Sequence, residues 1–125
     1  MNKAIFSFTF FLSVHFSEAQ QTPFEKSGGK ETTTYFEAVQ WYKELDKKYP
    51  ELLLKEMGLT DAGHPLHLVL ISRNKIFDPL KWKQQNKAVL FILNGIHPGE
   101  PDGIDASMML ARDIQKQKSA LPQNT

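Results

Sequence analysis

Between positions 35 and 49 the apolar residues Tyr35, Ala38, Val39, Tyr42, Leu45 and Tyr49 recur at intervals of three and four. Residues so spaced share one face of a helix, so the pattern predicts an amphipathic helix with Lys43, Glu44, Lys47 and Lys48 on its wet side. Thr34 precedes it and Glu37 follows three residues later, the spacing at which two side chains satisfy exposed backbone N–H groups reciprocally. Pro50 stops it. Two apolar runs, 52–59 and 66–72, then read as strands, with the turn formers Asp61, Gly63 and Pro65 between them, and predict an antiparallel hairpin. Residues 73–87 are charged and include Pro79, which predicts a long connection. Residues 88–93 are six apolar residues without alternation, the pattern of a strand buried on both faces. Asn94 and Gly95 end it, and Asp102 is expected to cap a further helix whose inner face is Ile104, Met108, Ala111 and Ile114.

This order of helix, hairpin, buried strand and helix predicts an α/β fold, the opening part of a mixed sheet flanked by helices. A strand buried on both faces wants neighbours on both edges, and the helix from Asp102 is expected to cross over to another strand. The chain therefore reads as the first part of a larger, truncated domain spanning 34–125. Residues 20–33 are polar around Ser27, Gly28 and Gly29 and are expected to be a flexible leader. Residues 1–19 have the form of an export signal: Lys3, an apolar stretch to Phe16, then the small residues Ser17 and Ala19, with cleavage expected after Ala19. The apolar stretch is shorter than the roughly 20 residues a bilayer span needs. The expectation is a secreted or periplasmic protein without a stable membrane anchor.

Charge narrows the function classes. Lys and Arg number 15 and Asp and Glu 14, which leaves no basic stripe for nucleic acid and no acidic tail. Cysteine is absent, so disulfide frameworks and thiolate metal sites are excluded and any metal must be held by His, Asp or Glu.

In open α/β sheets ligands bind beyond the carboxyl ends of the strands. The segment in that place, 94–103, holds Gly95, Gly99 and Gly103 with Pro98 and Pro101, residues that shape a loop able to aim particular side chains. His97 and Glu100 are the aimed pair. An imidazole nitrogen and a carboxylate are both good zinc ligands, and across a Pro-Gly turn the two can converge on one ion. The bland alternative is a solvated loop with a local His–Glu ion pair, worth little. His64 and His67 read as structural or solvent-facing, because two histidines without a carboxylate make a poor site. Asp102 and Asp105 read as helix-start residues favoured by the helix dipole. No Gly-Lys-Ser/Thr follows the loop, so it is not a phosphate cradle of the usual kind.

A strand, then Asn94-Gly95-Ile96-His97-Pro98-Gly99-Glu100, then a helix resembles the first zinc-binding segment of the carboxypeptidase A-like metallopeptidases. The helix leading to Tyr49-Pro50, the strand to Leu59 and the Gly63-His64-Pro65-Leu66 turn resemble that family's opening, so the likeness runs from about 34 to 114. The resemblance implies a zinc-peptidase fold of the phosphorylase/hydrolase-like type, a Zn2+ cofactor ligated by His97 and Glu100, and a peptide or protein C-terminus as substrate. It also implies a further histidine ligand, a carboxylate-binding arginine and a late glutamate base, none of which has a matching position in this chain. Arg73 and Arg112 do not stand in the family's substrate-binding context, and Glu100, as a ligand, is not the base. Two alternatives share or leave this frame: a zinc-dependent amidase or deacylase of the same fold, or an inactive secreted module.

Overall fold

A computed structural model describes residues 20–97 and 99–117 of the 125-residue chain. The expected export signal lies outside the described residues. Among the described residues, four helices and one hairpin follow in order: α1 (Pro23–Lys26), α2 (Tyr35–Lys48), β1 (Leu52–Leu59), β2 (Pro65–Ile71), α3 (Pro79–Gln84) and α4 (Asp102–Lys116).

Local chemistry explains each start. Thr34 accepts from the Glu37 N–H while Glu37 accepts from the Thr34 N–H at 2.9 Å, so the predicted reciprocal cap of α2 is made in full. The same device, Thr22 with Glu25, opens the one-turn α1 inside the stretch expected to be a flexible leader. Asp78 caps α3 through the Leu80 N–H at 2.9 Å, and Pro79 stands where its missing N–H costs nothing. That short helix interrupts what the sequence suggested was an irregular connection. At α4 the capping position belongs to Pro101, which has no side-chain bond to offer, and Asp102 is the first helical residue rather than the cap.

The sheet has two strands, antiparallel, with Leu52 opposite Ile71 and Leu54 opposite Val69. The register shifts between Glu56 and Leu59, where Gly58 takes a φ of +116°. The hairpin turn is closed by the Thr60 N–H on the His64 carbonyl at 2.8 Å. Between hairpin, α2 and α4 lies the core: Trp41, Leu45, Leu52, Met108 and Ala111, with Tyr42, Val69, Ile71 and Ile104 packed at its margin. Leu45 and Met108 are wholly removed from water, a gain of about 1.5–3 kcal/mol for each side chain. Trp41, absent from the face inferred by spacing, is buried, while Tyr35, at that face's far end, is exposed.

The expected buried strand at 88–93 is not formed. Val89, Leu90, Phe91, Ile92 and Leu93 are all exposed, Leu90 at 81%. A strand exists only as part of a ladder, and among the described residues β1 and β2 pair only with each other. Residues 88–93 find neither a partner strand nor a covering layer among the described residues. The α/β class stands, as a small two-stranded antiparallel sheet with helices. Among the described residues, no helix is long and apolar enough to cross a membrane.

Candidate metal centre

His97 and Glu100 occupy the loop between the apolar stretch 88–93 and α4, and two glycines hold that loop against the helix. Gly95 has a φ of +64°, a conformation only glycine enters freely, and a Cβ there would stand 2.7 Å from Ile104 Cδ1. Gly103, in the first turn of α4, lies against Asn94: a Cβ would meet its Oδ1 at 2.6 Å. The Asn94 amide in turn donates to Ser107 Oγ. The loop is thus fastened to α4 on both sides of the His97–Glu100 span by contacts that only a missing side chain permits.

Within that span the two predicted side chains meet. His97 Nδ1 lies 3.2 Å from both Oε1 and Oε2 of Glu100. Both are largely solvated, 73% and 62% exposed, so the pair contributes little to stability and does not itself shape the loop. The separation is that of a direct His–Glu ion pair, slightly shorter than two donors on one ion would show. Two donors on a tetrahedral zinc, each at about 2.0–2.2 Å, stand roughly 3.3–3.6 Å apart. Nitrogen and carboxylate oxygen are the donor types that zinc accepts. Among the described residues, no third His, Cys, Asp or Glu joins them to make a three-donor group. The donors present fit zinc in type and would make up half of a four-ligand shell.

The pair borders an open depression of about 400 Å³ whose wall includes Thr32, Ile96, Pro101 and Ile104. Thr32 comes from the segment before α2, more than sixty positions away in sequence. Its hydroxyl donates to Asp105 Oδ2 at 2.5 Å, and Thr33 donates to Oδ1 through both its hydroxyl, at 2.5 Å, and its N–H, at 3.1 Å. Asp105 is 4% exposed. It is therefore more than the helix-start residue the sequence suggested, although its place in the first turn also favours its charge.

A second buried charge lies further along α4. Arg112 donates to Glu25 of α1, to Asp113 at 2.8 Å and to the Gln20 carbonyl at 3.5 Å. Burial pushes the Glu25 carboxyl upward, but the Arg112 and Thr22 hydrogen bonds outweigh it and the net shift is downward. Hydrogen bonds from Arg112 to Asp113 and Glu25 hold its guanidinium above its usual value. Arg112 is committed to these partners and does not line the depression. His64 and His67 stand apart from the loop, packed on the Tyr35 ring at centroid distances of 5.4 and 6.3 Å. Sequence reasoning missed Thr32, Thr33 and the burial of Asp105. Nothing local signals a contact across 72 or 73 positions.

Comparisons with curated proteins and with solved structures give no match. The family model described as zinc carboxypeptidase matches residues 38–122, which takes in α2 from Ala38 onward, the hairpin, α3, the loop with His97 and Glu100, and all of α4. By that match over more than half of its length, the chain belongs to the zinc carboxypeptidase family.

Proposed function

We propose that these residues form the first part of a secreted zinc metallocarboxypeptidase that hydrolyses C-terminal peptide bonds, with His97 and Glu100 as two of its zinc ligands. The observation that carries this is the convergence of His97 Nδ1 and the Glu100 carboxylate at 3.2 Å, within the family-matched span and on a loop pinned by Gly95 and Gly103. Zinc bound there would polarise a scissile carbonyl and lower the pKa of its water. The chain's own contribution is to aim two donors of the right type and to keep them at the open rim of the depression, where a peptide end has access. Secretion rests on the character of residues 1–19, with the mature protein starting at Gln20. No residue of the chain is assigned as general base or as partner for the substrate's carboxylate, so these 125 residues alone are expected to show no peptidase activity.

Zinc affinity of the full chain, measured by competition with a chromogenic chelator, tests the assignment. The wild type should bind one zinc weakly, and His97→Ala and Glu100→Ala should each reduce affinity at least tenfold. Equal affinity in all three proteins would remove the two residues from the metal site. Release of C-terminal residues from a test peptide by the purified chain would overturn the expectation of inactivity.

A further inference from the structure

Residues 20–33 are fastened to α4 at two points, and one of them sits directly behind the candidate metal loop. At the far point Glu25 pairs with Arg112. At the near point the buried Asp105 carboxylate receives three hydrogen bonds from Thr32 and Thr33. Two such charge-assisted hydroxyl bonds at 2.5 Å belong to the strong class. The segment is also tied to α2, where Trp41 Nε1 donates to the Gln21 carbonyl at 3.2 Å.

The near point connects to the loop through a short path. The Asp105 N–H donates to the Pro101 carbonyl at 3.1 Å, and Pro101 adjoins Glu100. Ile104, next to Asp105, fills the space that the absent side chain of Gly95 leaves. Thr32 itself walls the depression that His97 and Glu100 border. The His97–Glu100 pair is too exposed to hold its own geometry, so whatever fixes the first turn of α4 also fixes the angle at which Glu100 leaves it.

From this the geometry points to a positioning role: Thr32 and Thr33, acting through Asp105, hold the start of α4 so that Glu100 and His97 face one ion. The segment before α2 is then a strap belonging to the metal centre, and Thr32 is also part of the wall a bound peptide would touch. This inference rests on the reading of His97 and Glu100 as zinc ligands. Residues that orient ligands from behind typically change metal affinity by 10–100-fold when lost.

The test is zinc affinity of the full chain, with Zn2+ as the probe and thermal stability measured in parallel. The doublet Thr32→Val with Thr33→Val removes both hydroxyls and keeps the shape. It should weaken zinc binding by roughly tenfold. The doublet Thr32→Ser with Thr33→Ser restores the hydroxyls and should restore affinity. Val69→Ala, at the margin of the core and away from the strap, should lower stability and leave affinity unchanged. Should the valine doublet fail to fold, Thr32→Val alone, at a partly solvated position, should still weaken binding about threefold. Wild-type affinity in the valine variants, or an equal loss in Val69→Ala, would overturn the positioning role while leaving the metal site intact. Unchanged affinity in His97→Ala and Glu100→Ala would instead overturn the metal site and the strap with it.

Discussion

Leu52, Leu53 and Leu54 of β1 and Leu90, Phe91 and Ile92 of the stretch before the loop are equally apolar, yet they sit in opposite surroundings. Leu52 is 2% exposed, paired across the hairpin with Ile71 and packed under α2. Leu90 is 81% exposed and belongs to no ladder. Hydrophobicity creates the demand for burial, but a partner of matching shape must supply it. The hairpin finds its partner six residues away across a turn. Residues 88–93 need strands on both edges and helices on both faces, and β1 with β2 offers neither. A row of unpaired backbone groups with exposed apolar side chains is a template for association with another chain.

The comparison breaks or sharpens under five measurements. Leu45→Ala empties a site fully removed from water and should cost about 2–5 kcal/mol in denaturant unfolding, whereas Leu90→Ser should be close to neutral and reduce aggregation. A comparable loss from Leu90→Ser would mean that the stretch is packed in solution. Hydrogen exchange gives the same contrast without mutation, with slow amides at Leu53 and Leu54 and fast ones at Leu90 and Phe91.

Alkaline pH addresses the packed side alone. Burial raises the Tyr42 phenol from 10.0 to about 12. For an acid raised by folding, stability is fully present below pH 10 and is lost as pH rises through about 12, by an upper bound of about 2–3 kcal/mol. Tyr42→Phe should flatten that decline, and an unchanged profile would show the phenol to be solvated.

At the junction of the two regions, Gly95→Ala combines a left-handed φ with a clash against Ile104. It should cost about 1–3 kcal/mol and weaken zinc binding, while Gly63→Ala, strained in φ but without a neighbour, should leave zinc affinity unchanged. The smallest effect is expected in acid. The Glu25 carboxyl is depressed below its ordinary 4.5, so its pairing with Arg112 stabilises the fold above that pH and is lost as pH falls through the lower folded value. Glu25→Gln should therefore reduce the slope of stability between about pH 5 and 3. An unaltered slope would show that the strap's far tie is broken in solution.

Much of this was legible in the residues. The Thr34–Glu37 cap, the hairpin turn at Gly63 and the convergence of His97 on Glu100 are all decided within four residues, where spacing alone suffices. Three further signals are legible in the same local way. Thr22 with Glu25 has the spacing that revealed α2, and Asp78-Pro79 is an ordinary helix start. Trp41 likewise stands three residues after Ala38 and four before Leu45.

Other features could not be read along the chain. Asp105 and Arg112 are charged residues on the inner face of α4, positions that periodicity reserves for apolar side chains. They are buried because Thr32, Thr33 and Glu25 reach them from 72 to 87 positions away, and only the packed fold brings those partners near. The apolar run 88–93 errs in the opposite direction, since its pattern states a demand for neighbours and carries no information on whether they are supplied.

The sequence by itself determined α2, α4, the hairpin, the His97 and Glu100 pair and the glycines that let their loop close, because each depends on bonds and sterics between near neighbours. Tertiary structure alone decided which apolar residues are dry, which charges are buried, and that the segment before α2 packs on the start of α4 beside the His97–Glu100 loop. Those outcomes depend on surfaces that meet only when distant parts of the chain pack together.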